Sequence, residues 1–301
     1  MARIAVMTDS NSGITQKRAA DLGIKVIPMP FTIDGRTYYE DINLTRSDFF
    51  RMQSEGKDIK TSQPMPEELF EVWDGLLKEY DEVVHIPMSS GLSGSCQSAK
   101  LIAQEYEGRV HVADNQRISV TQMSSVLDAM KLAEYGLTGR EIVSVLEETR
   151  FDSSIYIMLD TLVYLKKGGR ITPAAAAVGT LLRIKPVLMI KGEKLDAFSK
   201  ARTASHGRLT MISAMKNDIE KLYGGTDSET VQLYTVDGQC PDELGEFHEE
   251  VQNAFPGFHV LNDSLSLSVC CHIGPGALAI ACSKKMDHKA VAESIISKRS
   301  E

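Results

Sequence analysis

The chain has 301 residues, 43% of them hydrophobic and 25% charged, with a net charge of −8 at pH 7. That length holds two domains, or one large one, with ample apolar surface for a core. The acidic balance and the lack of a basic tract argue against nonspecific nucleic-acid binding, and no apolar run reaches the roughly 18 residues that a membrane span needs.

The first stretch, Arg3-Ile4-Ala5-Val6-Met7-Thr8-Asp9-Ser10, reads as a strand that ends in a polar turn. Because it starts at once, no signal peptide is expected, and the chain is expected to be cytoplasmic. In an open α/β sheet, ligands collect at the carboxyl ends of the strands, which is where Asp9 and Ser10 fall. Ser12 or Thr15 is expected to cap the next helix. Residues 24–30 read as a second strand, and Thr32 to Tyr39 as a hairpin turning at Asp34-Gly35. A helix is expected after Thr45. Lys60-Thr61-Ser62-Gln63-Pro64-Met65-Pro66 carries two prolines in three residues, which favours an extended loop. Leu69, Phe70, Trp73, Leu76 and Leu77 then mark the apolar face of a helix over 67–80.

Residues 83–99 are the most informative stretch. Val83, Val84 and Ile86 suit a buried strand, and Pro87 stops its pairing. Gly91 and Gly94 let the backbone bend tightly, and a helix begins at Ser95. A strand-to-helix turn of this kind leaves backbone N–H groups at a helix N-terminus, a ready place for an anion. The hydroxyls of Ser89, Ser90, Ser93 and Ser95 add donors without charge. Serine and glycine also build ordinary turns and caps, so the turn alone does not decide. Thr61 and Ser62 would complete a ring of uncharged donors if the fold brought them near.

Further on, a strand at 110–115 leads to helices over 119–135 and 139–149. Strand–helix alternation up to here argues a doubly wound parallel sheet. Ser153 to Asp160 is a strand. Thr161 to Arg170 reads as a short helix closed by a glycine cap with cations at its end. Thr172-Pro173 open a helix whose alanines, Ala174 to Ala177, and Gly179 leave one face without bulk. Then come strands at 185–190 and 194–202, a helix over 205–223, a strand at 230–236, a helix over 241–254, strands at 258–261 and 266–270, a last strand at 277–282, and a charged, peripheral tail helix from Asp287. This second half reads as a smaller α/β domain. The five cysteines, Cys96, Cys240, Cys270, Cys271 and Cys282, show no CxxC spacing and are read as small core or semi-buried residues; on a strand, Cys270 and Cys271 would face opposite sides of the sheet. The seven histidines are scattered, without metal-ligand spacing.

Taken together, Thr8-Asp9-Ser10, Thr61-Ser62-Gln63-Pro64, Ser89-Ser90-Gly91-Leu92-Ser93-Gly94-Ser95, Leu159-Asp160-Thr161-Leu162 with Lys167-Gly168-Gly169-Arg170-Ile171, Lys185-Pro186, and His272-Ile273-Gly274-Pro275-Gly276 resemble the DegV family of bacterial fatty-acid-binding proteins. The resemblance runs from residue 4 to about residue 282. It departs from the family pattern at Asn115 and at Ser119-Val120-Thr121-Gln122-Met123.

The resemblance implies a two-domain α/β fold. A three-layer α/β/α parallel-sheet domain (1–154) carries the carboxylate-binding turn, a smaller two-layer domain with a mixed sheet (155–286) covers an acyl tunnel between the domains, and a tail helix follows (287–301). It implies a non-catalytic protein that binds a long-chain fatty acid such as palmitate or oleate and needs no cofactor or metal. It also implies a partner, the catalytic subunit of a fatty acid kinase, which would phosphorylate the presented carboxylate and feed lipid metabolism. Membrane contact would be at most transient and at the surface.

By resemblance Thr61 and Ser93 hydrogen-bond the carboxylate and His272 lies nearby. Ser62, the N–H groups of Ser93 and Gly94, and an imidazolium at His272 would further offset the cost of burying that charge. Met88, Met158, Met189, Ala174 and Ala177 are the expected tunnel residues, since methionine adapts to irregular shapes. Lys167, Arg170 and Arg202, with Lys166, are expected to dock the partner, weighed against ordinary helix-end and surface cations. Three other readings stand beside this one: a phosphate or polyol-phosphate binder using the same turn, an apolar groove for a peptide, and, least favoured, a serine hydrolase built on Ser93, His272 and Asp9 or Asp114. The hydrolase lacks the last glycine of G-x-S-x-G.

Overall fold

The computed structural model describes residues 2–173, 184–192, 194–224 and 227–299. They form two compact units: 2–45, 58–150 and 286–299 in one, and 46–57 with 151–285 in the other.

In the first unit, β1 (Ile4–Asp9), β2 (Lys25–Ile27), β6 (Glu82–Ile86) and β7 (Val110–Val112) form a parallel sheet in the order β2-β1-β6-β7. The register pairs Thr8 with Ile86 and His85 with Val112, so the carboxyl ends of the strands lie side by side. Side chains alternate across the sheet. Ala5, Met7 and Val83 point to one face, where Leu69 and Trp73 of the Pro66–Leu76 helix and Cys96 and Ala99 of the Ser95–Ile102 helix close the core. The other face meets the Ser119–Glu134 and Gly139–Glu148 helices. Both faces are thus buried, as a parallel sheet requires.

A smaller antiparallel sheet flanks this one, with β3 (Pro30–Ile33) between β4 (Arg36–Tyr39) and β5 (Ile59–Thr61). Its hairpin turns at Asp34 and Gly35, both left-handed (φ 47° and 80°), as the Asp-Gly pair predicts. Two expectations change here. The strand expected over 24–30 is split into β2 and β3. Thr61, expected in a loop, ends β5 and pairs with Phe31, because the extended conformation that precedes the prolines adds an edge to the hairpin.

In the second unit, β8 (Ser153–Met158), β9 (Lys185–Ile190), β10 (Leu195–Ala201), β11 (Val231–Gly238), β12 (Val260–Ser264) and β13 (Ala277–Lys284) lie in the order β10-β9-β8-β13-β11-β12. Only β11 and β12 pair in parallel, so the sheet is mixed. Met158, Val187 and Ile280 share a core with Met211 and Met215 of the Ala204–Asp218 helix and Phe247 of the Pro241–Ala254 helix. The long helix expected over 205–223 ends its α-helical course at Asp218, and one π turn completes it to Tyr223.

The strand expected at 266–270 is instead the Leu267–Ile273 helix. Leu-Ser-Val-Cys alternates like a strand, but Leu267, Cys270 and Ile273 are buried at helical spacing. Cys270 and Cys271 therefore do not sit on a strand. The cysteines are buried except for half-buried Cys271, and burial pushes the thiols of Cys96 and Cys240 up to about 12, which keeps both protonated at neutral pH. Of the helix expected to open at Thr172-Pro173 and run to Leu182, residues 174–182 lie outside those described.

The units are not contiguous in sequence, unlike the division expected above. The Arg46–Ser54 helix belongs to the second, where Arg46 Nη1 donates to the Leu265 carbonyl (2.7 Å) and Gln53 Nε2 to that of Cys270 (3.3 Å). The tail helix, His288–Lys298, returns to the first. There His288 Nε2 meets Asp128 Oδ1 at 2.8 Å, and Arg299 Nε donates to Glu141 at 2.8 Å.

Candidate functional site

The site is built from the carboxyl ends of β1 and β6. Asp9 is buried, and its carboxylate accepts N–H groups from Met88 (2.8 Å), from the backbone and side chain of Asn11 (both 2.9 Å) and from Gln122 Nε2 (3.3 Å). Burial pushes the Asp9 pKa up, and these donors pull against it. Gln122, fully buried in the first turn of its helix, also donates to Thr8 Oγ1 (2.9 Å) and the Ile86 carbonyl (3.2 Å). The helix start that departs from the family pattern thus keeps a polar contact to the site, and Gln122 makes it.

Beyond Met88 the chain turns through the serines. Ser89 N–H is bonded to the Arg117 carbonyl (2.9 Å) and Ser90 N–H to Asp114 Oδ1 (3.3 Å). Gly91 N–H donates to Ser89 Oγ (3.3 Å), and those of Leu92 and Ser93 to the Ser89 carbonyl (3.0 and 3.2 Å). Every backbone N–H from Met88 to Ser93 is therefore used within the protein. The expectation that Ser93 N–H faces an anion is corrected, because this tight turn consumes it. The N–H of Gly94 has no partner among the described residues. Ser93 Oγ accepts from Ser95 N–H (3.2 Å), which leaves its hydroxyl proton to donate outward.

The second stretch does approach the turn. Ser62 N–H donates to the Pro30 carbonyl (3.1 Å), extending the β5 pairing beyond Thr61. Gln63 Oε1 accepts from Ser98 Oγ (3.2 Å) and lies 3.3 Å from where a Gly94 β-carbon would stand. Pro64 lines a small cavity with Asp9, His85, Ser95 and Ser98. The hydroxyl-bearing strand end and the serine turn are thus neighbours in one unit. Met88 is buried here, and its sulfur accepts from Asn11 Nδ2 (2.9 Å). Asp9, offered as a triad acid in the hydrolase reading, accepts bonds from Met88, Asn11 and Gln122, none of them a histidine.

The remaining expected residues lie in the second unit. His272 ends the Leu267–Ile273 helix against Gly168, which ends the Val163–Gly168 helix. Burial and the Arg170 guanidinium lower the His272 pKa to about 4. The ring is neutral at pH 7, which corrects the expected imidazolium: desolvation beside a fixed cation disfavours a second charge. Lys167 is exposed, Arg170 is half-buried and bonded to the Gly168 carbonyl, and Arg202 is exposed just after β10. Met158 and Met189 are paired through Tyr156 and Val187 on neighbouring strands and face the same core. Ala174 and Ala177 lie outside the described residues. Among the described residues no group of three or more His, Cys, Asp or Glu could hold a metal, and no helix is long and apolar enough to cross a membrane.

A parallel-sheet unit with a hydroxyl-lined turn at its carboxyl edge, carried in one chain with a mixed-sheet unit, defines a two-unit α/β class. The chain belongs to the DegV family, an uncharacterised protein family that matches residues 3–285. A DegV family protein from Thermus thermophilus, described for its fatty acid binding, is 32% identical and covers 94% of this chain and 100% of its own, with a TM-score of 0.85. DegV from Bacillus subtilis, described as a fatty acid binding protein, is 28% identical over 95% of this chain and 100% of its own, with a TM-score of 0.83. A DegV domain-containing protein from Deinococcus radiodurans is 31% identical over 285 residues, 92% of this chain and 97% of its own.

Sequence reasoning missed Asn11 and Arg117, quoted Gln63 and Gln122 only within the stretches compared with the family, and named Asp114 only as an alternative triad acid. Asn11 had a signal in Asp9, since an Asp at the end of a strand commonly bonds the backbone N–H two residues on as an Asx turn. The others act through contacts distant in sequence, and no local pattern marks them.

Proposed function

We propose that the chain binds a long-chain fatty acid and holds its carboxylate at the serine turn. The observation that carries this reading is the Gly94 N–H, which has no partner among the described residues and lies beside the Ser93 hydroxyl in a turn whose preceding N–H groups are all bonded. The fatty-acid-binding descriptions of the Thermus thermophilus and Bacillus subtilis relatives support the ligand class.

Thr61, Ser62, Ser93 and Gly94 would take the carboxylate with uncharged donors. The family resemblance assigns His272 to the same group; as a neutral ring it would act as a hydrogen-bond partner and not as a counter-charge. A bidentate arginine would hold the head more tightly, so the uncharged donors favour release. Met88, Met158, Met189, Ala174 and Ala177 would line the acyl chain. About fourteen methylenes at ~0.8 kcal/mol each give on the order of 10 kcal/mol, part of which is lost in ordering the chain. The tail would therefore dominate affinity.

The role that follows is presentation of the carboxylate to a separate fatty acid kinase in the cytoplasm, docked through Lys167, Arg170 and Arg202. Mass spectrometry of an organic extract of the undenatured protein tests the binding. Near-stoichiometric fatty acid, lost in the Thr61→Ala/Ser93→Ala double variant, is the expected result. An extract that stays empty after incubation with palmitate and oleate overturns the reading. For the partner, phosphorylation of the bound acid by such a kinase should fall when Lys167 and Arg202 are replaced by glutamate, and unchanged turnover would sink the docking assignment.

A further inference from the structure

The loop between β7 and the Ser119–Glu134 helix holds Gln116 in the left-handed region (φ 53°), and the helix opens on Ser119, which is left-handed too (φ 57°). A residue with a β-carbon adopts this conformation at a cost and keeps it where the surroundings enforce it. Arg117 stands between them and is 4% exposed. Its Nη1 donates to Ser125 Oγ in the helix that follows (3.1 Å), and its Nη2 donates to the Thr149 carbonyl at the end of the Gly139–Glu148 helix (2.6 Å). The guanidinium is thus held by both helices that cover this face of the sheet.

The backbone of the same residue reaches the serine turn. The Arg117 carbonyl accepts Ser89 N–H, and the Ser89 carbonyl in turn accepts the N–H groups of Leu92 and Ser93. Asp114, three residues earlier, accepts Ser90 N–H. A chain of short contacts therefore runs from two helices, through one buried arginine and a strained loop, to Ser93.

We infer that Arg117 is a positioning residue for the head-group turn: its anchored side chain fixes the loop carbonyl that orients Ser89, and through Ser89 the Ser93 hydroxyl and the Gly94 N–H. The link to ligand rests on the fatty-acid reading above; the link to the turn does not. Arginine suits the task because its planar fork serves two acceptors at once, whereas a lysine ammonium is a single point on a flexible stem.

The test compares wild type with Arg117→Met, Arg117→Lys and Ser125→Ala, the last removing one acceptor of the guanidinium while leaving the arginine in place. Two readouts are taken on each: amide hydrogen exchange at Ser89, Leu92 and Ser93, and affinity for oleate against oleyl alcohol, which shares the tail and lacks the carboxylate. In Arg117→Met, exchange at the three amides should quicken ~tenfold or more relative to β6, and the preference for oleate over the alcohol should fall by about tenfold, as loss of hydrogen-bonded placement implies. Arg117→Lys and Ser125→Ala should fall between, and they carry the test if the methionine variant does not fold.

Unchanged exchange at the turn overturns the inference, as does equal weakening of acid and alcohol, which would mark a general loss of stability. If the wild type binds neither ligand, the fatty-acid reading fails, and the exchange rates alone still decide whether Arg117 positions the turn.

Discussion

The imidazole of His272 lies so close over Gly168 that a β-carbon there would stand 2.4 Å from Nδ1. No side chain fits without moving the ring or the end of the helix that carries Gly168. Gly168→Ala should therefore destabilise the protein by about 1–3 kcal/mol, the usual range for forcing extra atoms into a packed site. Urea unfolding measures this; a variant as stable as wild type would mean that the ring is not pinned.

The same ring makes stability depend on pH. Its folded pKa of about 4 lies below the ordinary 6.5. Between those values the unfolded chain takes up a proton that the folded chain refuses, so stability present above pH 6.5 is lost as pH falls toward 4. The loss is on the order of 3 kcal/mol. Buried His85, lowered to about 3, adds to it in the same direction. Comparing wild type with His272→Gln isolates the His272 part, because the variant keeps His85. Parallel stability curves from pH 7 to 4 would contradict a buried neutral ring.

Asp9→Asn keeps the shape and removes acceptor capacity. Four N–H groups point at this carboxylate. An amide turns its own NH2 on some of them and leaves buried donors without acceptors, at about 1–3 kcal/mol. Thermal unfolding should show that loss. Amide exchange at Met88 should quicken more than exchange in the middle of β6, and uniform quickening would argue that Asp9 does not hold the turn.

Arg299 fastens the tail helix to Glu141 and holds the Glu141 carboxyl down to about 2. This pKa is below the ordinary 4.5, so the contribution is present above pH 4.5 and is lost as pH falls toward 2. Because Arg299 is 40% exposed, solvent screening reduces it. Arg299→Ala should cost about 1 kcal/mol at pH 7 and make the 288–298 helix more sensitive to protease. Equal cleavage rates would show that the helix is held by its other contacts.

The order of strands and helices was largely legible because hydrophobic period and turn chemistry are local. Val83-Val84-His85-Ile86-Pro87 announced a strand and its end, and Asp34-Gly35 announced a hairpin. Leu267-Ser268-Val269-Cys270 misled, since strand-like alternation over four residues also fits one turn of helix, and packing chose between them. In the turn, the hydroxyls of Ser93 and Thr61 could be named from sequence. Whether a given N–H was still available could not, because it depended on Arg117 and Asp114 more than 20 residues away. The charge of His272 was likewise set by burial and Arg170, which sequence does not reveal.

The interleaving of the two units bears on how the chain is made. Residues 46–57 leave the ribosome early yet belong with 151–285, while 286–299 leave after both and belong with the beginning. The second unit must keep an early helix waiting for its sheet, and the first cannot close its last helix until the second has been synthesised. Neither unit can be completed during translation independently of the other, so a stall between residues 150 and 285 strands both, and the nascent chain must keep apolar faces such as that of Phe49 and Phe50 covered or tended until synthesis has passed that point.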